Sequence, residues 1–247
     1  KKSKNPLLIS GGGVFYSDAM EDVSNFAIKH NIPITQTVMG YSTIKRDHSH
    51  FLGPIGGLGG KAANNLAKQT DLAIAVGTKL ADFTTGSWAN FENPDFSLVS
   101  INVSRFDANK HLAQSVIGDA KVTLQDLSNA LGEWKAPDEW HKKSRDELKN
   151  WNDYVDKESG PTNQELPSYA HAVGAIYRNS DPTDIAVTAA GGLVGEVVQI
   201  WRPKELNTHE TEWGFSCMSY EISGALGIKM ANPDKDVCLL YTSPSPR

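Results

Sequence analysis

The amino-acid sequence predicts an α/β protein, in which a doubly wound domain on a parallel sheet is followed by the start of a second α/β domain. Two observations support this fold class. Short apolar runs alternate with helical patterns up to about residue 132, which is the rhythm of βαβ units. The alternation resumes near residue 168, after a segment of different composition. We therefore expect residues 1–132 and 168–237 to form two α/β units, joined by a linker at 133–167.

Five short strands are predicted in the first unit. Each is nearly all apolar, as expected for parallel strands that helices cover on both faces. They span residues 7–10, 32–37, 72–76, 98–102 and 115–117. Helices are predicted at residues 17–30 and 61–68, and a third begins after Asp119, a residue suited to capping. The apolar stripe of this third helix is formed by Val122, Leu124, Leu127 and Leu131.

The linker, residues 133–167, is rich in charge. Trp134, Trp140 and Trp151 lie there among Lys, Asp and Glu residues. This pattern predicts one charged helix, whose charges face solvent while the tryptophans pack underneath.

The second unit repeats the alternating pattern. Its predicted elements are a helix that starts at residue 169, a strand at 184–188, a helix that reaches residue 201, a helix of small residues at 216–231 and a strand from 236. The turn Ala190-Gly191-Gly192 leads into the second of these helices, and a polar loop precedes the third.

Composition argues against two classes of partner. The net charge of −5 and the scattered Lys and Arg do not provide the basic surface that nucleic acid requires. No apolar run approaches the roughly 18 residues of a membrane-spanning helix. A small-molecule substrate is therefore the expected partner. Cys217 is the only cysteine outside the last ten residues, which leaves no pair for an internal disulfide and indicates a reducing cytoplasm.

Both ends of the sequence indicate a piece of a longer protein. The chain begins Lys1-Lys2-Ser3-Lys4, without an initiator Met or a signal peptide. Residues 238–247 resemble the translation of an adapter used to build sequencing libraries. We therefore expect these ten residues to lie outside the natural sequence and exclude them from the fold prediction.

Glycine-rich segments of the first unit are candidates for nucleotide-binding loops. Gly11-Gly12-Gly13 follows a predicted strand, but the dinucleotide fingerprint requires a third glycine where Tyr16 stands. The segment 53–60 lacks the Gly-Lys-Ser/Thr ending of a P-loop. Tight turns with close backbone approach are the favoured interpretation of both. Residues 76–83 follow a predicted strand, where α/β sheets bind ligands, and are a candidate surface by position alone.

The polar loop of the second unit holds titratable residues. His209, Glu210 and Glu212 lie together, but no second histidine stands at ligand spacing, so a zinc site is not expected. A solvated loop is the favoured interpretation, and a substrate-facing Glu212 is the alternative. Cys217 has no activating His or Asp placed by sequence, so packing among small residues is favoured over a nucleophile.

Several segments, taken in order, resemble the thiamine-diphosphate-dependent enzyme superfamily, whose subunits have three domains. The matching segments are residues 6–13, 30–35, 52–53 and 71–78. The resemblance covers nearly all of residues 4–237. It implies that residues 1–132 are the central domain and that residues 168–237 begin the thiamine-diphosphate-binding domain.

Within the superfamily, the likeness is greatest to hydrolases that open a cyclic 1,2-dione during inositol breakdown. It rests on residues 82–88 and 102–111 and, above all, on residues 213–222, Trp-Gly-Phe-Ser-Cys-Met-Ser-Tyr-Glu-Ile. Ser219 stands where the family has glycine. The resemblance implies cleavage of a C–C bond of trihydroxycyclohexane-1,2-dione, with thiamine diphosphate as electron sink and a deoxy-glucuronic acid as product.

The resemblance also implies a cofactor site. The matching residues are Gly191, Gly192, Leu193, Ser216, Cys217 and Met218. In the family the first three hold the diphosphate through backbone N–H groups at a helix start, the next two flank the cofactor, and the methionine is the wedge that keeps it folded. The Mg²⁺ ligands are expected just after Val237, and no metal ligand or catalytic residue is identified in this chain. The chain alone is therefore expected to be inactive.

Two alternative functions remain open. The first is another thiamine-diphosphate enzyme, similar to acetolactate synthase or sulfoacetaldehyde acetyltransferase; some such relatives bind flavin or a nucleotide in the central domain. The second is a non-catalytic nucleotide-binding module, because the first unit alone is a generic α/β fold. In the family the cofactor lies between subunits, so the resemblance implies a homodimer or homotetramer.

Overall fold

The computed structural model describes residues 1–241. The chain divides into two compact units, residues 1–151 and residues 152 onward, and each is described by itself. The boundary falls within a long helix, inside the predicted linker segment. Over the described part of the chain, no helix combines the length and apolar character needed to cross a membrane.

Six parallel strands form the sheet of the first unit. They are β1 (Pro6–Ser10), β2 (Ile34–Gln36), β3 (Phe51–Pro54), β4 (Leu72–Val76), β5 (Ser97–Asn102) and β6 (Gln114–Ile117). Their order is β3-β2-β1-β4-β5-β6, so the chain winds outward from β1 in both directions. Leu8 of β1 pairs with Ile34 on one side and Ile74 on the other. The predicted doubly wound parallel sheet is confirmed.

The helices of this unit connect the strands and cover the sheet. They are α1 (Gly12–Tyr16), α2 (Met20–Lys29), α3 (Lys61–Ala67), α4 (Asp82–Thr85), α5 (Arg105–Ala108), α6 (Ala120–Leu131) and α7 (Asp138–Glu158). Asp119 caps α6 as predicted, because its carboxylate accepts hydrogen bonds from the backbone N–H groups of Lys121 at 2.9 Å and Val122 at 3.3 Å.

Strand β3 and the start of α2 differ from the sequence prediction. Residues 51–54 were not expected to form a strand, since Gly53-Pro54 is typical of a turn. Proline is tolerated there because β3 is an edge strand of the sheet. Helix α2 begins at Met20 rather than residue 17, because Asp18 adopts a left-handed conformation with φ of 49° that separates it from α1.

The core of the first unit lies between the sheet and helices α2 and α6. Its fully buried residues include Leu8, Ile34, Val23, Phe26 and Leu124. The linker tryptophans pack as predicted: Trp140 and Trp151 of α7 are buried, while the charged face of the helix is exposed. The Trp140 indole N–H also donates a 2.8 Å hydrogen bond to the carbonyl of Pro6 in β1. This contact joins α7 to the first strand.

The second unit has a smaller parallel sheet. Its elements are α8 (Tyr169–Asn179), β7 (Ile185–Thr188), α9 (Leu193–Ile200), β8 (His209–Thr211), α10 (Tyr220–Ala231) and β9 (Val237–Leu239). The strand order is β8-β7-β9. Helix α10 packs on β7 and β9 through a cluster that includes Ile185, Val187 and Ala225. The strands predicted at residues 184–188 and from 236 are confirmed.

Two predictions for this unit are wrong. The polar loop contains a strand, β8, in which His209 and Thr211 are buried and Glu210 is exposed. The small-residue helix begins at Tyr220 rather than residue 216, because Ser216 and Ser219 both have positive φ, which a helix does not allow.

The predicted adapter-derived tail begins inside a strand of this structure. Cys238 and Leu239 belong to β9 and pair with Ala186 and Val187 of β7. Residues 242–247, which make up the rest of that predicted tail, lie outside the described residues.

Candidate cofactor-binding site

The residues predicted to bind a cofactor fall in two loops at one edge of the second sheet. Gly191 and Gly192 follow β7, and Leu193 is the first residue of α9. Ser216, Cys217 and Met218 follow β8. Strands β7 and β8 are parallel neighbours, so both loops leave the same carboxyl edge. This edge is where open α/β sheets bind ligands.

The loop after β7 leaves open space in front of helix α9. Gly192 is the N-cap of α9, makes no side-chain capping bond, and has no atom within 4 Å of the position that a Cβ would occupy. Gly191 has φ of 111°, a conformation that favours glycine. The first N–H groups of a helix lack intrahelical partners and attract anions. The geometry therefore fits a phosphate group.

The loop after β8 is held by the carboxylate of Glu212. Its two oxygens accept hydrogen bonds from the backbone N–H of Phe215 at 2.8 Å and of Cys217 at 2.7 Å. These hydrogen bonds lower the pKa of Glu212, and the bond from Cys217 has the larger effect. Because both carboxylate oxygens accept hydrogen bonds from the loop backbone, the geometry does not favour the alternative of a substrate-facing Glu212. Met218, in the same loop, is 67% exposed.

His209 lies inside the unit rather than in a solvated loop. It is buried, and burial lowers its pKa to about 3. Its Nε2 lies 3.5 Å from the hydroxyl of Thr188 in β7. A neutral histidine at this position is a structural residue of the β7–β8 pair. Within the described residues, no group of three or more His, Cys, Asp or Glu side chains is placed to hold a metal ion.

Glu221 is a residue that the sequence prediction missed. It lies in the first turn of α10, is 5% exposed, and its Oε2 has no hydrogen-bond partner in the described structure. The signal that could have found it is helical spacing, since Ala225 and Ile228, four and seven residues later, both belong to the core cluster.

Most of the glycine-rich residues of the first unit form tight turns, as the sequence favoured, but Gly53 and Pro54 belong to strand β3. Gly11 and Gly13 donate their N–H groups to the carbonyls of Val76 and Gly77, both at 2.9 Å. A Cβ at Gly13 would lie 2.7 Å from the Cα of Gly77. Both N–H groups therefore bond within the protein, and backbone fills the crevice between β1 and β4. Gly57, in the second segment, similarly donates to the carbonyl of Phe83 at 2.6 Å.

Comparison with known proteins defines the class. The family model of the thiamine pyrophosphate enzyme central domain matches residues 1–127. The chain belongs to this family. Its fold agrees, with a six-stranded parallel sheet covered by helices.

Curated relatives extend the similarity into the second unit. The chain is 39% identical over 266 residues to 3D-(3,5/4)-trihydroxycyclohexane-1,2-dione hydrolase of Clostridium tetani, and 37% identical over 258 residues to that of Geobacillus thermodenitrificans. Each match covers 96% of this chain. The enzyme of the same name from Clostridium perfringens is 36% identical over 257 residues and 95% of the chain. The chain spans 40% of the length of these relatives.

Proposed function

We propose that the protein carrying this chain is a thiamine-diphosphate-dependent hydrolase that cleaves a C–C bond of trihydroxycyclohexane-1,2-dione in inositol catabolism. One observation carries the proposal: relatives named for this reaction match 96% of the chain, through both units. The matched region includes the loop after β8, residues 212–219, which borders the candidate site. The closed turns of the first unit offer no specific support for a nucleotide-binding module.

The chain's own residues would bind and orient the cofactor. Thiamine diphosphate, when bound, supplies an electron sink for breaking a bond next to a carbonyl. The N–H groups at Gly191, Gly192 and Leu193 would hold its diphosphate at the start of α9. Glu212 fixes the backbone of the loop that carries Met218. The exposed thioether of Met218 would then meet the apolar part of the cofactor.

Three further features of the proposal concern the whole protein. Mg²⁺ would join the diphosphate to residues that follow β9, since the described residues contain no ligand cluster. A cytoplasmic location is supported by Cys217, the only cysteine outside residues 238–247, which is a free thiol. A homodimer or homotetramer would place the cofactor between subunits, as the family resemblance implies.

The substrate assay uses this chain extended to the full length of its relatives, with thiamine diphosphate and Mg²⁺. We expect the cyclic dione to be consumed with release of a deoxy-glucuronic acid, followed by mass spectrometry. Pyruvate and sulfoacetaldehyde are the comparison substrates, and neither should be converted. Formation of acetolactate from pyruvate, with the dione untouched, would overturn the proposed reaction in favour of an acetolactate synthase.

Met218→Ala tests the cofactor contact in the same protein. We expect kcat to fall by about 10-fold or more, because small displacements of reacting groups can cost about 100-fold. Met230→Ala is the matched control, since Met230 is 76% exposed in the last turn of α10, the helix that follows the loop of Met218. Equal kcat values for Met218→Ala and wild type would remove Met218 from the site.

A further inference from the structure

Glu221 is exceptional among the charged side chains of this protein. Across residues 1–241, it is the only Asp, Glu, Lys or Arg that is buried, with 5% of its surface exposed. Carboxylates are almost never buried unless they are paired, because removing the charge from water is costly. The position of Glu221 therefore requires a compensating partner.

One of the two carboxylate oxygens of Glu221 has no such partner among the described residues. Oε2 of Glu221 accepts no hydrogen bond. Neighbouring donors bond to other carboxylates. The Tyr220 hydroxyl lies 3.4 Å from Oε1 of Glu210, and two backbone N–H groups of the preceding loop donate to Glu212. Oε2 is therefore available to a group that the described residues do not supply.

The location of Glu221 indicates what that group is. Helix α10 leads from β8 to β9 and packs on β7 and β9, so its first turn lies at the carboxyl edge of the sheet. This is the edge from which the loop before α9 and the chain after β9 depart. Glu221 shares the inward face of α10 with Ala225 and Ile228, so its carboxylate lies on the sheet side of the helix.

We propose that Glu221 is a positioning residue for the divalent cation of the cofactor site, an inference that rests on the cofactor part of the proposed function. Its buried negative charge attracts the cation to the carboxyl edge and orients the groups that hold it. The cation in turn supplies the positive charge that the burial of Glu221 demands. Carboxylates behind the direct ligands commonly have this role at metal sites.

The opposite charges at this edge are complementary. The start of α9 carries the positive end of a helix dipole and favours the diphosphate anion. A cation bound to the diphosphate would be attracted in addition by the negative charge of Glu221, which would stand behind the groups that hold it. Mg²⁺ is usually held by one or two carboxylates together with phosphate, and those direct ligands would be other residues of the whole protein.

The experiment measures Mg²⁺ affinity by calorimetry in the presence of thiamine diphosphate, using the chain extended to the length of its relatives. Glu221→Gln retains the shape of the side chain and removes its charge. We expect Mg²⁺ to bind about 10-fold or more weakly to this variant, with the cofactor still binding at saturating Mg²⁺. Glu210→Gln is the control, because Glu210 is exposed on β8 of the same sheet. It should leave Mg²⁺ affinity unchanged.

Three results would overturn the inference: Mg²⁺ affinity in Glu221→Gln within about twofold of wild type, equal weakening in both variants, or no saturable Mg²⁺ binding by wild type. If the Mg²⁺ affinity of Glu221→Gln is unchanged and only its melting temperature falls, Glu221 has a purely structural role. Because calorimetry requires no substrate, failure of the dione assay would refute the proposed reaction without affecting this result.

Discussion

Replacing His50 with glutamine should weaken the pH dependence of the stability of the first unit. His50 lies just before β3 and is buried, with its Nε2 3.1 Å from the side-chain oxygen of Asn31 and its Nδ1 2.9 Å from the hydroxyl of Ser49. The ring stacks on His141 of α7, with 4.1 Å between the centroids. Protonation would place a positive charge in this confined position.

The surrounding groups oppose that charge. Burial is the largest cause that lowers the pKa of His50 to about 4, and the nearby His141, His48 and Arg145 contribute to this lowering in that order. The pKa of His48 is also lowered, chiefly by burial and despite the raising effect of Asp47. Both histidines are therefore neutral in the folded protein at neutral pH.

The direction in which stability changes with pH follows from the pKa of His50 in the folded and unfolded states. In the unfolded chain the pKa of His50 is about 6.5. Between pH 6.5 and about 4, His50 is therefore protonated in the unfolded state and neutral in the folded state. The free energy of unfolding therefore falls as the pH is lowered through this window and then levels off. A change from 6.5 to about 4 corresponds to at most about 3–4 kcal/mol. Screening by nearby solvent reduces the expected loss to about 1–2 kcal/mol.

Urea unfolding of the 247-residue chain at about pH 7 and about pH 4.5 would measure this loss by tryptophan fluorescence, to which the first unit contributes four of the six tryptophans. His50→Gln should lose about 1–2 kcal/mol less than wild type between the two pH values. The control is His111→Gln, since His111 is an exposed histidine of the same unit. An identical loss in wild type and His50→Gln would refute the reasoning, because the carboxylates of the protein would then account for the whole effect.

Two substitutions test the packing of the first unit by thermal unfolding. Gly13→Ala should destabilise the unit by about 1–3 kcal/mol, because the new methyl group would lie 2.7 Å from the backbone of Gly77; unchanged stability would contradict the close approach of the two turns. Trp140→Phe should cost about 1–3 kcal/mol, because it removes the buried hydrogen bond to Pro6. Trp134→Phe, whose indole N–H bond is exposed, should cost less, and the reverse order would contradict the assignment.

The sequence predicted most of the first unit because its strands are buried on both faces. Runs such as Leu72–Val76 are apolar throughout, and their position in the chain leaves few alternatives to a parallel strand. The exception, β3, contains Gly53 and Pro54, and local propensity there favours a turn. Pairing with β2 overrides that preference, and no pattern within residues 51–54 reveals this tertiary effect.

The second unit was harder to predict because short strands carry little periodic signal. Strand β8 has three residues, and the hydrophilic side chains of His209 and Thr211 conceal its burial. Their inward orientation arises from pairing with β7, where Ala186 and Thr188 are their neighbours. Sequence resemblance, in contrast, identified loop positions at the carboxyl edge, since matched motifs do not depend on local periodicity.

Glu221 shows how the failure of a sequence rule can itself indicate function. Helical spacing from Ala225 and Ile228 predicts an inward-facing residue at this position, and packing rules predict that such a residue is apolar. A carboxylate there satisfies the first rule and violates the second. Proteins retain such conflicts mainly where another requirement outweighs the cost in stability. We propose that, at the edge of the candidate cofactor site, this requirement is the binding of a cation. Substitution of Glu221, the buried residue that packing rules do not explain, should therefore change the metal affinity directly.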